Sequence, residues 1–440
     1  MGGGRCRSTS WLAASGFLVV ALSAGRAEAL QPLREFLSAA RTHAFDNREA
    51  TELAVQRADQ ADQQWAKLLP SLTAQGALTR NEYPASLTLP GERGAPGRTV
   101  VITPENQRDA TFTAQLTLLD LAQLDRIASS EATAEGQRAR AKATELDVAK
   151  TVARTYYQLV GAAALVASAE SSLAAAIENR DIVARRNDAG VASTLDLDRA
   201  VAQVEESRQA IAEAELTRVL AVRAMSTLAG ITPSDGYPAL IEDLHEEPSL
   251  EAWESPDIGK LPSVAAAAYD SEAARKTAAA TKEALLPTVA ASATERFTNA
   301  AGFGTSPYYM IAATLTWKLD PYSVYGIRSD AAGYAVARVR EDRAWQAARD
   351  AIHESWQTVR ADIAKARSAR SQLAASSEAA KLAGQRYVAG TATQLEVVQA
   401  QRDAFTADVS RIQADADLLN ARAALRLSAG RSPLASAEAP

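Results

Sequence analysis

Cysteine is nearly missing from this sequence: Cys6 is the only one in 440 residues. It lies in a charged stretch just ahead of a short apolar run, so the rest of the chain offers no disulfide, thiolate metal site, cysteine nucleophile or acylated cysteine. Aromatic residues make up only 5 % of the chain although 47 % is hydrophobic. Alanine carries much of that apolar count, which suits close helix packing better than a bulky globular core. Proline is missing between Pro104 and Pro233 and again between Pro321 and Pro433, leaving two long windows without a helix breaker. Histidine is sparse, and His43, His245 and His353 are too scattered for metal-ligand spacing. Basic charge is in deficit, with a formal net charge of −6, which argues against a nucleic-acid partner. No G-x-S-x-G, P-loop or dinucleotide fingerprint occurs, so neither an enzyme nor a cofactor is expected.

The first residues read as an export signal. Arg5 and Arg7 precede the apolar "WLAASGFLVVALSAG", and "AEA" ending at Ala29 is a small-x-small cleavage site. Cleavage there removes Cys6, Arg5, Arg7, Arg26 and Glu28, leaving the remainder two charges more acidic. No later segment is expected to match a membrane-spanning helix in length or hydropathy.

Inside the proline-free windows, apolar residues recur every seven positions. Leu159, Val166 and Leu173 form one series, with Ala162, Ala169, Ala176 and Val183 as its companion. Leu197, Val204 and Ile211 follow, and Val398, Phe405, Ile412 and Leu419 repeat the pattern later. Paired seven-residue spacing marks supercoiled helices. Each window reads as a long helix, a turn and a returning helix. The descending arm from about Ala122 to Asp188 would reach roughly 100 Å.

The turns themselves repeat. "RRNDAGVASTLDLDRA" from Arg185 superposes on "QRYVAGTATQLEVVQA" from Gln385, matching Arg186 to Arg386, Gly190 to Gly390, Leu195 to Leu395 and Asp196 to Glu396. The glycines supply the left-handed backbone a tight reversal needs. Ser193 with Asp196, and Thr393 with Glu396, have capping-box spacing.

Ahead of each window the period changes to two. Leu72, Ala74, Gly76 and Leu78 alternate with Ser71, Thr73, Gln75 and Thr79; Ala110, Phe112, Ala114, Leu116 and Leu118 alternate with Thr111, Thr113, Gln115 and Thr117. Tyr309, Ile311, Ala313, Leu315 and Trp317 continue the rule, and a run from Thr288 obeys it except that Glu295 falls on the apolar side. Strands of about 10 residues with one apolar and one Thr/Gln face suit a tilted crossing of a bilayer around a wet lumen. Four such strands leave unsatisfied edges in hydrocarbon, so copies must join; two, three or four would give a barrel of about 8, 12 or 16 strands.

The paired "LLPSLTAQGALTR" and "LLPTVAASATERF" segments, the two G-x-x-[ST]-x-x-[DE] turns, and "LAG" and "SAG" at Gly230 and Gly430 resemble the TolC-type outer membrane efflux proteins over roughly residues 35 to 433. That resemblance implies a mainly α fold with a membrane β-barrel: a duplicated strand–strand/helical-hairpin repeat forming a trimeric helical tunnel under a shared barrel. It places a signal peptide at 1–29, a first repeat at 30–230, an equatorial connector at 231–262, a second repeat at 263–433 and a tail at 434–440. It implies an outer membrane exit duct of a tripartite efflux or type I secretion system, a passive conduit reaching deep into the periplasm and gated at its periplasmic end. Its implied partners are two further copies, a periplasmic adaptor (membrane fusion) protein, an inner membrane transporter of the RND, ABC or MFS kind, and outer membrane lipid. By resemblance, Glu396, Gln399, Tyr387 and Asp196 belong to the periplasmic aperture and its closing network, although Gln399 stands where the family carries an acid and Ala392 where it carries a base. Arg186, Gly190, Ser193, Leu195, Arg386, Gly390, Thr393 and Leu395 resemble the hairpin tips that meet the adaptor. Capping remains the competing role for Asp196 and Glu396. A non-channel periplasmic coiled-coil scaffold is the alternative; it accounts for the heptads but not for the strands.

Overall fold

A computed structural model describes residues 29–91, 97–240, 242–254 and 258–434. The expected signal segment up to residue 28 and nearly all of the expected tail lie outside the described residues.

Two helices open the chain, α1 (Leu33–His43) and α2 (Phe45–Ala66). Strand β1 (Ser71–Arg80) leads to a small hairpin, β2 (Ala85–Leu89) and β3 (Arg98–Thr103), and then to β4 (Asn106–Leu119). The first long hairpin is α3 (Leu121–Asp188) and α4 (Thr194–Ala229). A connector holds α5 (Leu250–Trp253) and one 3-10 turn, followed by α6 (Pro262–Glu283), β5 (Thr288–Thr298) and β6 (Tyr308–Thr316). The second hairpin is α7 (Pro321–Val388) and α8 (Gln394–Ser428).

The start of each long helix is built alike. The Asp120 carboxylate accepts from the Gln123 amide at 2.9 Å, and Asp320 accepts from Ser323 at 2.8 Å. These caps satisfy amides that the first turn cannot pair internally. At 68 residues each, α3 and α7 span about 100 Å. The alanine series forms the tighter seam: Ala162, Ala169, Ala176 and Val183 are all at most 2 % exposed, whereas Val166 and Leu173 are only half-buried.

One expectation needs correction. An 18-residue window of α3 has a mean hydropathy of 1.6, long and apolar enough to cross a membrane by composition. Much of that apolarity is alanine, and alanine here serves the packing of α3 against α4 and α8.

The order of elements is the same at three levels. In the main sheet it is β1-β4-β5-β6, all antiparallel. In the upper helical layer α2 packs on α3, α3 on α6 and α6 on α7. In the lower layer α4 packs on α3, α3 on α8 and α8 on α7. One flank of the molecule is therefore β1, α2 and α4, and the other is β6 and α7. Both flanks carry large exposed apolar side chains: Val55, Leu216 and Leu220 on one, Val336, Val339 and Leu382 on the other.

Register keeps one sheet face apolar across all four strands. Leu72 stands opposite Ala114, Ala114 opposite Ala293, and Ala293 opposite Ile311. On the other face Thr73 pairs Thr113, Thr113 pairs Thr294 and Gln115 pairs Ser292. Exposed Trp65, Trp317, Tyr322 and Tyr325 gather at the helical end of the strands, and Tyr83 and Phe303 lie toward the other. Two aromatic girdles about an apolar band are what a bilayer-crossing sheet presents.

At mid-length the connector wraps the helices. Phe36, Val152, Leu159 and Met225 form one core, and Trp253, Ile352, Val359 and Leu425 another. Arg422, only 3 % exposed, is held there by Glu247, Asp243 and the ring of His245.

Candidate functional site

The hairpin tips lie at the ends of four helices. In the first, α3 ends with Ala189 and Gly190, whose φ of 72° reverses the chain. The amides of Val191 and Ala192 return to the Arg186 carbonyl at 2.8 and 3.1 Å. Ser193 then opens α4: its side chain accepts from the Asp196 amide, while the Asp196 carboxylate accepts from Ser193 N and Oγ. The second tip repeats the design, with Gly390 at φ 78°, Thr391 N on the Arg386 carbonyl at 2.8 Å, and Thr393 boxed with Glu396. Both capping boxes read from the spacing are formed.

The two tips are also joined to each other. Val183, Ala200, Tyr387 and Val397 make one buried cluster. The Arg186 guanidinium lies 4.8 Å from the Tyr387 ring centroid and donates to the Tyr387 and Val388 carbonyls at 3.0 and 3.1 Å. Those carbonyls end α7, where the helix dipole favours a cation. Arg386 behaves differently. Its guanidinium donates to the Thr391 carbonyl of its own turn.

Hydrogen bonding here is incomplete. Burial raises the Tyr387 hydroxyl above its usual value; nearby Arg186 pulls the other way and Asp196 adds to the rise. Among the described residues that hydroxyl has no hydrogen-bond partner, nor do Arg186 Nε or either amide atom of Gln394, which is 1 % exposed. Buried polar groups are normally paired, so unsatisfied groups concentrated at one end mark a place able to re-pair. Gln394 escaped sequence reasoning because its counterpart in the first repeat is Thr194, and nothing in the pattern distinguishes it.

Of the residues expected at the aperture, Tyr387 and Asp196 lie in this junction, while Glu396 and Gln399 are exposed on α8. Leu195 and Leu395 are exposed at the tips beside Val191 and Val388. Among the described residues no group of three His, Cys, Asp or Glu side chains could hold a metal ion.

The sequence pattern of the family described as "Outer membrane efflux protein" matches residues 37–231 and 259–431. The toluene efflux pump outer membrane protein TtgC of Pseudomonas putida is 26 % identical over 365 residues, covering 79 % of this chain and 72 % of that protein. Among solved structures, the Campylobacter jejuni CmeC outer membrane channel superposes with a TM-score of 0.74 at 15 % identity, covering 92 % of this chain and 88 % of that one. The open state of the Neisseria gonorrhoeae MtrE outer membrane channel gives 0.72 at 18 % identity, covering 92 % and 90 %.

Proposed function

This chain belongs to the outer membrane efflux protein family, and from that premise we propose that it works as a homotrimer, the exit duct of a tripartite efflux pump. The observation that carries the reading is the shared element order of the sheet and both helical layers. Its two flanks differ, so copies join head to tail around an axis, and a closing rotation gives a ring. In the sheet, β6 of one copy meets β1 of the next, leaving no strand edge in lipid. The Thr/Gln face then lines a wet lumen that continues into the helical tunnel.

The tips close the periplasmic end. Three copies bring six hairpin turns together, with Glu396 and Gln399 directed at the aperture and Tyr387, Arg186 and Asp196 holding adjacent hairpins shut. Exposed Val191, Leu195, Val388 and Leu395 give a periplasmic adaptor an apolar footing. An inner membrane transporter of the RND, ABC or MFS kind supplies the energy. Small apolar toxic compounds are the cargo that fits best, a substrate class suggested by the toluene pump relative.

The test is extraction in mild detergent, followed by mass measurement and single-channel recording in a planar bilayer. A conducting particle of three chains is expected. A soluble, nonconducting monomer sinks the proposal.

A further inference from the structure

Glu295 breaks the apolar face of the sheet. It stands opposite Phe112 on β4 and Tyr309 on β6, inside the band that includes Leu72, Ala114 and Ile311. These residues border a groove of about 450 Å³. Among the described residues, no hydrogen bond or ion pair reaches the Glu295 carboxylate. A carboxylate facing hydrocarbon with no partner is costly, so the surroundings must supply a donor.

The same face changes character toward the outer rim. Leu78 stands opposite Arg108, and Arg80 opposite Asn106, which makes Arg80 and Arg108 diagonal neighbours. Arg108 is exposed and without an acidic partner among the described residues; Arg80 meets only the exposed Glu105, at 3.3 Å. Arg108 and Phe112 are four positions apart, about 13 Å along the strand. Descending from the rim, the face thus offers two guanidinium groups, then an acceptor of N–H or O–H, then an apolar groove.

We propose that this face docks a phosphorylated glycolipid of the outer leaflet that carries amide-linked hydroxyacyl chains. Its phosphate sits on Arg108 and Arg80, its amide or hydroxyl donors meet Glu295, and one acyl chain lies in the groove between Phe112 and Ile311. Guanidinium pairs with phosphate in a bidentate, charge-assisted way. Glu295 selects the class, because an ester-linked phospholipid has no N–H or O–H at the head of its acyl chains. The inference rests on the trimeric-barrel reading, which turns this face toward lipid.

The experiment isolates the full-length protein from outer membranes in mild detergent and counts hydroxyacyl glycolipid per chain by mass spectrometry, with channel conductance measured in parallel. Arg108→Gln and Glu295→Leu should each lower retained glycolipid about fivefold to tenfold, as the loss of one charge-assisted contact predicts. Arg108→Lys should keep most of it, and Thr113→Val, on the opposite face, should keep all. Conductance should be unchanged throughout. Wild-type glycolipid in both Arg108→Gln and Glu295→Leu, with normal conductance, overturns this inference and leaves the channel intact. So does full displacement by an equal amount of phosphatidylglycerol. A nonconducting monomer overturns both readings together.

Discussion

Arg186 and Tyr387, 201 positions apart in the chain, form a guanidinium–ring stack that ties the first hairpin tip to the second. Arg186 also caps two terminal carbonyls of α7, so a single side chain holds together helices from both repeats. Replacing it with alanine should cost about 1–3 kcal/mol at the junction and raise single-channel conductance or leak. Lysine should not restore closure, because an ammonium cannot fork across two carbonyls while stacking on a ring. Unchanged conductance in Arg186→Ala would remove this contact from the gate.

Tyr387 and Gln394 should behave in the opposite sense. Both bury polar atoms without partners among the described residues, so Tyr387→Phe and Gln394→Leu should be neutral or should stabilise the closed tips. Tyr387 also gives a pH signature. Burial raises its folded-state value above the unfolded one, so its contribution is fully present below the ordinary tyrosine range and fades as pH rises past the folded value. Thermal melting between pH 8 and 11 should therefore show a smaller alkaline loss in Tyr387→Phe than in the wild type.

Glu396 caps α8, and the proposed function also sets it at the aperture; one pair of variants separates the two. Its carboxylate accepts from the Thr393 amide at 2.8 Å, closing the capping box of α8. The substitution Glu396→Gln keeps an acceptor for that hydrogen bond and removes the charge, so it should weaken multivalent-cation blockade without altering stability. Glu396→Ala should weaken blockade equally and also cost about 1 kcal/mol in the cap. Blockade that persists in both variants places the aperture elsewhere.

The flanks yield a charge-swap experiment. Glu215 on α4 and Arg367 on α7 stand the same number of residues from their respective turns, roughly 33 Å along each helix. Both are exposed and lack an ion partner among the described residues. The proposed head-to-tail closure would bring Arg367 of one copy to the level of Glu215 of the next. Arg367→Glu should lower the trimer fraction at low salt, and adding Glu215→Arg should recover it. Failure of the double variant to recover argues against this alignment.

Arg422 tests the connector. Removing it strands Glu247, which has a side chain only 5 % exposed, and breaking one partner from a buried pair costs about 3–5 kcal/mol. Arg422→Met should lower the melting temperature markedly. Adding Glu247→Gln should return part of the loss, which denaturant titration can resolve.

The long elements were legible because they depend on local periodicity. The heptads led directly to α3, α4 and α8, and the second proline-free window to α7; the companion alanines proved the tighter seam, since small side chains let backbones approach. The strands were readable for the same reason, and the misfit of Glu295 is real in the register. The small β2–β3 hairpin was not legible, because Pro84, Pro90 and Gly91 interrupt its short alternation. The break at Ala44 has neither proline nor glycine. It is set by tertiary contacts: Phe36 is fully buried against Tyr156, and Asn47 Nδ2 donates to the Ala40 carbonyl at 3.2 Å. The pairings of Arg186 with Tyr387 and of Arg422 with Glu247 bridge distances that no window of sequence spans.

The two descending helices have the same length, 68 residues each. Both loops of every subunit consequently finish at one depth, giving an assembled mouth a level rim. Excising seven residues from a single arm would raise half of the loops by roughly 10 Å, so length can change here only when both copies of the duplicated unit change in step.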